Sequence, residues 1–395
     1  MTDRQISAKF TLFALAISAF AIGSTEFISV GLMPMLIKSF GITTAQAGLT
    51  VTIYAAGIMI GAPLLTIFTG KINRHRLMLG IMIMFIVGNV ITALAPTFLV
   101  LLLGRVLAAF AHGIFMTVAS VIAAAVVAPK KRASAIAVMF TGLTVATVTG
   151  VPLGTFIGQI AGWQWSFFFI SLIGVIGLIA DYYLIPRKLP TPGKTSARGI
   201  GRVLRNPQLL LILLISAFGY GGTFVVYTYL APILEQTMGW SAGAVVIILI
   251  GYGLMVAIGN TLGGRFADVK PLQALLKMFI ILAFVVLLLM LTATHHWLGL
   301  INVLLMGLFA FMNVPGLQTS LVQLASEFTP QDITMASALN IAAFNVGITM
   351  GSGLGGQVIQ HWSLTMTPLF SALMIAIGGI LTIVLLRIER RRHQR

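Results

Sequence analysis

Residues 17–25 read Ile-Ser-Ala-Phe-Ala-Ile-Gly-Ser-Thr, and residues 215–223 read Ile-Ser-Ala-Phe-Gly-Tyr-Gly-Gly-Thr. The offset is 198 positions, half of a 395-residue chain, and it holds downstream without a gap. Pro34 falls on Pro232, Gly41 on Gly239 and Tyr54 on Tyr252, and Gly61, Leu64 and Phe68 fall on Gly259, Leu262 and Phe266. Both copies are strongly apolar, which describes a duplicated membrane bundle and not an array of short soluble repeats. Duplicated bundles of this size are the usual build of secondary transporters, whose substrate site lies between the halves.

Composition sets the class. Hydrophobic residues make up 58% of the chain and charged residues 8%, with mean hydropathy +1.05. That is too little charge for a soluble surface of this length. Apolar stretches long enough to cross a bilayer lie near 10–33, 45–69, 77–95, 98–127, 133–158, 166–185, 208–231, 243–264, 272–293, 297–326, 334–359 and 367–387. The expected fold is an all-α polytopic membrane protein with twelve transmembrane helices, spans 1 to 12, in two pseudo-symmetric six-helix bundles. Residues 1–186 and 208–395 form the bundles, and 187–207 form a cytoplasmic linker with Pro190, Pro192, Gly193, Gly199 and Gly201 among basic residues. Only Pro96-Thr97 joins spans 3 and 4, which makes them antiparallel neighbours.

The net charge of +16 might suggest nucleic acid, but its distribution excludes that partner. With the N-terminus inside, all of the 24 Lys and Arg residues except Lys38 and Arg105, hence 22, fall on cytoplasmic segments or the cytoplasmic ends of spans. Lys71, Arg74 and Arg76 follow span 2, Lys130, Lys131 and Arg132 follow span 4, and Arg387, Arg390, Arg391, Arg392 and Arg395 form the tail. This asymmetry puts both termini in the cytoplasm of a bacterial cell, with the tail against anionic lipid of the inner membrane. The chain has no cysteine, so disulfides and thiolate metal sites are excluded. The first apolar segment reads as a retained span, not a cleaved signal peptide. His295-His296 has no acid beside it, so no metal is expected.

Two literal motifs carry no chemistry. Gly193-Lys194-Thr195 resembles the end of a phosphate loop, but Lys188 stands where its first glycine belongs. Gly351-Ser352-Gly353-Leu354-Gly355-Gly356 fits a dinucleotide fingerprint but lies inside span 11 with no strand before it. Gly347, Gly351 and Gly355, like Gly150, Gly154 and Gly158 of span 5, recur every four residues and make grooves for close helix packing.

Ionisable groups deep in a span are costly, so each is a candidate site. Glu26 lies eight residues before Pro34, which marks the outer end of span 1; Arg105 lies eight residues after Thr97, the start of span 4. At 1.5 Å per residue both sit about 12 Å below the outer surface, and a Glu26–Arg105 ion pair is expected. His112 lies two turns deeper on the Arg105 face. Making and breaking the pair as the halves rock would load and unload a proton, with His112 next in line. The alternative is an ion pair that only fixes helix packing. Asp181, beside Tyr182 and Tyr183, reads as an interfacial group reaching toward water. Tyr220 and Tyr227 of span 7, Asn313 and Gln318 of span 10 and Asn340 of span 11 are candidates for lining a substrate cavity, although interhelical hydrogen bonds would account for them equally.

These residues resemble the major facilitator superfamily, and within it the twelve-span drug:proton antiporter branch, in particular bacterial arabinose-efflux-permease-like exporters. The family's loop after span 2, G-x-x-x-D-[RK]-x-G-[RK]-[RK], is matched by 66–76, with Gly70 replacing the acid and Asn73 the turn glycine. Its basic part, Lys71, Arg74 and Arg76, survives, and Gly264 with Asp268 keeps the G-x-x-x-D part in the second repeat. The resemblance implies a gating role for these five. It also implies proton transfer at Arg105 and Glu26, and an altered antiporter motif at Gly150, Pro152 and Gly154. Gly162-Trp163-Gln164-Trp165 resembles the family's G-W-R-W with Gln164 replacing the arginine.

The expected function is export of a small organic molecule (a drug, sugar or nucleoside-like compound) by proton antiport, in a monomer, with no cofactor beyond the proton gradient. Symport or facilitated passage of a metabolite is the alternative. A membrane enzyme would need paired acids or a nucleophile set near a membrane face, and the eight acidic residues do not supply one. A channel would need charge rings or a filter sequence, and neither is visible.

Overall fold

The structure is a computed structural model that describes residues 8–69, 72–128, 132–189, 197–267 and 270–393. Among them all regular structure is helical. Spans 1 to 4 are Ala8–Phe40, Thr44–Thr69, Arg74–Ala93 and Phe98–Ala125. Span 5 runs through Arg132–Val145, a π turn at Ala146–Gly150 and Val151–Ala161, and span 6 is Trp163–Leu184. A short helix, Ala197–Arg205, precedes the second set. Span 7 is broken into Pro207–Ile215, a π turn at Ser216–Tyr220, Phe224–Tyr227, Leu230–Pro232 and a second π turn at Ile233–Thr237. Spans 8 and 9 are Ala242–Ala267 and Pro271–Thr292, and span 10 is split into His296–Ala310 and Asn313–Phe328. Spans 11 and 12 are Ile333–His361 and Thr367–His393.

Eleven of these helices are long and apolar enough to cross a membrane, counted over the described residues. Span 11 falls short in apolarity, not in length. It carries Ser337, Asn340, Asn345 and Ser352 with several glycines, because it packs on spans 2, 7 and 10 and shows little of itself to lipid. The fold is an all-α polytopic membrane protein.

Several repeated residues now have physical reasons. Gly41 and Gly239 both take positive φ, 62° and 76°, and end the first and seventh spans where a side chain would be strained. Thr43 and Ser241, again 198 apart, accept hydrogen bonds from the amides three residues on. At Thr43 the capping box is complete, since Gln46 accepts from the Thr43 amide. Pro34 behaves otherwise than expected: span 1 continues through it to Phe40, so Pro34 does not mark the end of that span. In span 5, Pro152 has no N–H to donate, and the Val151 amide reaches back five residues to Ala146 in a π turn.

The buried apolar residues gather mainly into two clusters, one from spans 1–6 and one from the linker helix and spans 7–12. The second also takes in Phe27, Val30, Val51, Ala55 and Val151 from the first set of spans. Span 2 packs on span 11, and span 5 on span 8. Toward the end remote from the linker, Thr52 Oγ1 lies 2.8 Å from Ser352 Oγ, and the Gln159 amide donates to Ala242 O at 2.7 Å. Tyr229 OH donates to Ser352 O at 2.8 Å, closing span 7 on span 11. The glycine ladders face repeat-equivalent helices. Gly150, Gly154 and Gly158 meet Ser24, Ile28 and Leu32 of span 1, while Gly347, Gly351 and Gly355 meet Ala217, Gly221 and Val225 of span 7.

Candidate transport site between the halves

Arg105 is completely buried, and its partners are main-chain oxygens. Nη1 donates to Thr25 O at 2.7 Å, Nη2 to Glu26 O at 3.3 Å and Nε to Thr50 O at 3.4 Å. A helical carbonyl has a second lone pair free, and the guanidinium fork collects three of them from two helices. Its carbon stands 4.0 Å from the centre of the Tyr54 ring, a cation–π contact. Tyr54 OH in turn lies 3.2 Å from His112 Nδ1. Among the described residues no ion pair joins Glu26 to Arg105, so that expectation is corrected. The depth match behind it also fails, because span 1 runs past Pro34. Arg105 and His112 are linked, but through Tyr54. Tyr54 was visible in the sequence only as half of a repeated pair.

Beside this polar knot lies an aromatic cluster. Phe27, the residue after Glu26, enters the second set of spans and meets Phe224 at 5.8 Å, Tyr227 at 5.7 Å and Phe311 at 6.2 Å between ring centres. Tyr220 stands 5.4 Å from Phe311 and 5.0 Å from Phe344, and Tyr227 stacks on Tyr252 at 5.1 Å. The rings come from spans 1, 7, 8, 10 and 11. Edge-to-face geometry of this kind adds to the burial of each ring. Several buried polar atoms nearby find no partner: Thr223 Oγ1, Tyr252 OH and Asn313 Oδ1.

Of the residues expected to line a cavity, Tyr220 and Tyr227 belong to this cluster, and Asn313 keeps its carbonyl oxygen free while its amide donates to Ala310 O. Gln318 and Asn340 are committed elsewhere. Ser216 donates to Asn340, Asn340 to Gln318, and Gln318 to Ser337, which ties spans 7, 10 and 11 together. Their reading as helix connectors, open from the sequence, fits this geometry.

In the loop after span 2, Lys71 lies outside the described residues, as does Asp268 in the matching loop of the second repeat. Asn73, which replaces the turn glycine, caps span 3 by accepting from the His75 and Arg76 amides, and its own amide donates to Arg187 O. Arg74 is buried and Arg76 exposed. Gly264 has space around it, its nearest neighbour being Pro315. Asp181 does not reach toward water: it is fully buried and accepts from Ser18 Oγ at 2.8 Å, fastening span 6 to span 1. His296 stacks on Trp240 at 3.6 Å, and among the described residues no group of acids, cysteines and histidines is arranged to hold a metal.

A buried cation, a neighbouring acid and a shared aromatic cluster among membrane-length helices are what a membrane transporter can use. Residues 15–328 match the model described as Major Facilitator Superfamily, and the chain belongs to that family. It is therefore a secondary transporter of a small molecule and not an enzyme. A Bacillus subtilis (strain 168) protein, the uncharacterized MFS-type transporter YtbD, is 50% identical over 382 residues, which cover 97% of this chain and 96% of its own. The inner membrane transport protein YdhP of Escherichia coli (strain K12) is 36% identical over 356 residues, 89% of each chain. Among solved structures, a D-xylose-proton symporter superposes with a TM-score of 0.76 at 14% identity, covering 95% of this chain and 97% of its own. A bacterial homolog of the human lysosomal transporter Spinster, inward-facing and occupied, gives 0.75 at 18%, covering 96% and 97%. Those two likenesses concern the fold alone.

Proposed function

We propose that the protein moves a small organic molecule across the membrane coupled to a proton carried at Glu26, with the proton gradient as its energy source and no cofactor. The supporting observation is the position of Arg105. Its donors are taken up by main-chain oxygens, so the acid beside the aromatic cluster feels the Arg105 charge without forming an ion pair with it. A charge at that depth costs several kcal/mol, so gaining or losing a proton changes the energy of the whole centre. The ligand would lie against the rings of Tyr220, Phe224, Tyr227 and Phe311 and meet the unpaired oxygens of Tyr252, Thr223 and Asn313.

Export by antiport follows if proton and ligand displace each other, the reading that the acid in span 1 suggests. Symport follows if they bind together. Glu26 and Phe27 are consecutive and so point about 100° apart on one helix, which gives proton and ligand separate sides and favours symport. The fold shared with the D-xylose-proton symporter is compatible with it. One chain supplies acid and cluster together, which supports a monomeric working unit. The basic clusters support an inner-membrane orientation with linker and termini in the cytoplasm, and a gate on that side at Lys71, Arg74, Arg76, Gly264 and Asp268. Gly150, Pro152 and Gly154, around the span 5 π turn, are the proposed antiporter motif.

Proteoliposomes with an imposed pH gradient and a panel of drugs, sugars and nucleosides test this. An acidic lumen drives accumulation under antiport, and an acidic exterior drives it under symport. Glu26→Gln abolishes gradient-driven movement and leaves downhill exchange. Undiminished gradient-driven transport in Glu26→Gln removes the proton from the mechanism and leaves facilitated passage.

A further inference from the structure

A groove opens on the outer face of the second set of spans, near the linker end. Lys270, Gln273 and Lys277 form its polar side, and Ile281, Phe309 and Met312 its apolar wall. Gln273 and Lys277 are four apart and share one face at the start of span 9, Lys270 immediately precedes that helix, and all three are exposed. The surface around them is built for lipid: Phe266 is 60% exposed, Ile280 60% and Phe284 65%. Lys277 therefore stands a turn or more inside a membrane helix, on its lipid-facing side. A cation there is costly unless its ammonium snorkels back to the interface, where an anionic headgroup offers it a stronger partner than water. At the 198 offset Lys270 and Lys277 become Ile72 and Leu79, so the feature belongs to the second repeat and not to the shared scaffold.

We propose that this groove binds one anionic phospholipid from the leaflet on the linker side. Lys270, Gln273 and Lys277 hold its phosphate diester, and an acyl chain lies along Ile281, Phe309 and Met312. Charge and length both fit this occupant. From Lys270 to Ile281 the helix rises about 16 Å, from headgroup level into the hydrocarbon. A free phosphate ion would use only the basic end. The apolar end also matters, because Met312 sits where span 10 is broken, and Phe311, its neighbour, belongs to the aromatic cluster. The acyl chain and the candidate transport site thus touch two sides of one break.

The test is native mass spectrometry of the full-length protein released from vesicles of mixed phosphatidylglycerol and phosphatidylcholine. Wild type retains one phosphatidylglycerol in preference to phosphatidylcholine. Lys270→Gln with Lys277→Gln weakens retention by about fivefold per lysine, nearly thirtyfold together, and the two arginine substitutions keep it. Ala274→Phe, which fills the groove without altering charge, also releases the lipid and covers the case in which the double variant fails to fold. Equal retention in wild type, double variant and Ala274→Phe overturns the proposal. So does displacement of the lipid by millimolar inorganic phosphate, which would mark a simple anion site.

Discussion

Spans 4 and 10 hold equivalent places in the two repeats and solve the same problem differently. Span 4 is a continuous helix from Phe98 to Ala125 whose buried guanidinium binds carbonyls of spans 1 and 2. Span 10 is broken at Phe311–Met312 and contributes a ring to the aromatic cluster; aligned on Pro129 and Pro330, where the offset has grown to 201, it has Met306 and Asn313 where span 4 has Arg105 and His112. Spans 1 and 7 repeat the contrast. Span 1 is one helix with Pro34 inside it, and span 7 is a helix with two π turns that departs from helical geometry at Tyr229 and continues through Pro232. Spans 1 and 4 are thus regular in backbone and carry charge at their centre, whereas spans 7 and 10 are irregular and aromatic at theirs. Charges deep in a membrane need exact partners, which favours rigid helices. Rings and unpaired hydroxyls that accept a ligand gain from a backbone that can shift.

The largest effect should come from importing the second solution into the first, as Arg105→Met. Removing the guanidinium loses three hydrogen bonds, each worth about 1.5–3 kcal/mol for a charged donor. It also removes the desolvation cost of a buried charge, several kcal/mol in the opposite direction. Stability should therefore change little while gradient-driven transport falls to the background of empty liposomes. Thermal unfolding in detergent and proteoliposome transport, measured together, check this. A variant that fails to fold would make Arg105 a packing device.

The contrast between the halves was partly legible in the sequence. Apolar run length locates the spans, and Glu26 falls on Phe224 at the 198 offset just as Arg105 and His112 fall on Met306 and Asn313 at 201, so of these pairs only the first-half member is ionisable. The partners of Arg105 were not legible, because side-chain spacing predicts side-chain pairs and says nothing about spare lone pairs on carbonyls. Asp181 was misread for a similar reason: nearness to Pro186 suggested water, but Ser18 on another helix covers it. The breaks in spans 7 and 10 also escaped. Pro34 and Pro232 both lie inside helical backbone, so neither proline marks where its span ends; Gly41 and Gly239, with positive φ, do.

A mid-sized effect is expected where span 11 meets span 7. A side chain at Gly351 would run into the main chain of Gly221, so Gly351→Leu should cost about 1–3 kcal/mol by overpacking. Gly264→Ala meets only Pro315 at an ordinary contact distance, 3.9 Å, and should stay within about 0.5 kcal/mol of wild type. A smaller effect separates the repeated tyrosines. Tyr54→Phe loses the bond to His112 and should cost about 0.5–1.5 kcal/mol, whereas Tyr252→Phe removes an unpaired buried hydroxyl and should be neutral. Paired thermal unfolding curves decide both. A loss in Tyr252→Phe as large as in Tyr54→Phe would erase the distinction between the halves.

The smallest effect lies at the seam between linker and second bundle. Arg202 of the short helix donates to both carboxylate oxygens of Asp332, at 2.6 and 2.7 Å, and these hydrogen bonds hold the Asp332 carboxyl below its ordinary range. A carboxylate whose folded pKa lies below its unfolded value contributes its stability above the unfolded pKa, about 3.9, and loses it as pH falls through the folded value. Arg202 is 45% exposed, so solvent and salt screen the pair and its contribution is small. The pair is intact from pH 7 down to about 3.9 and weakens below that, so at pH 3 the short helix should be looser than at pH 7 while the bundle stays folded. Limited proteolysis in the 186–207 segment should speed up on acidification in wild type, and should be fast at both pH values in Asp332→Asn. Equal cleavage of the two proteins at pH 7 would mean that buried Val203, and not the ion pair, seats the helix.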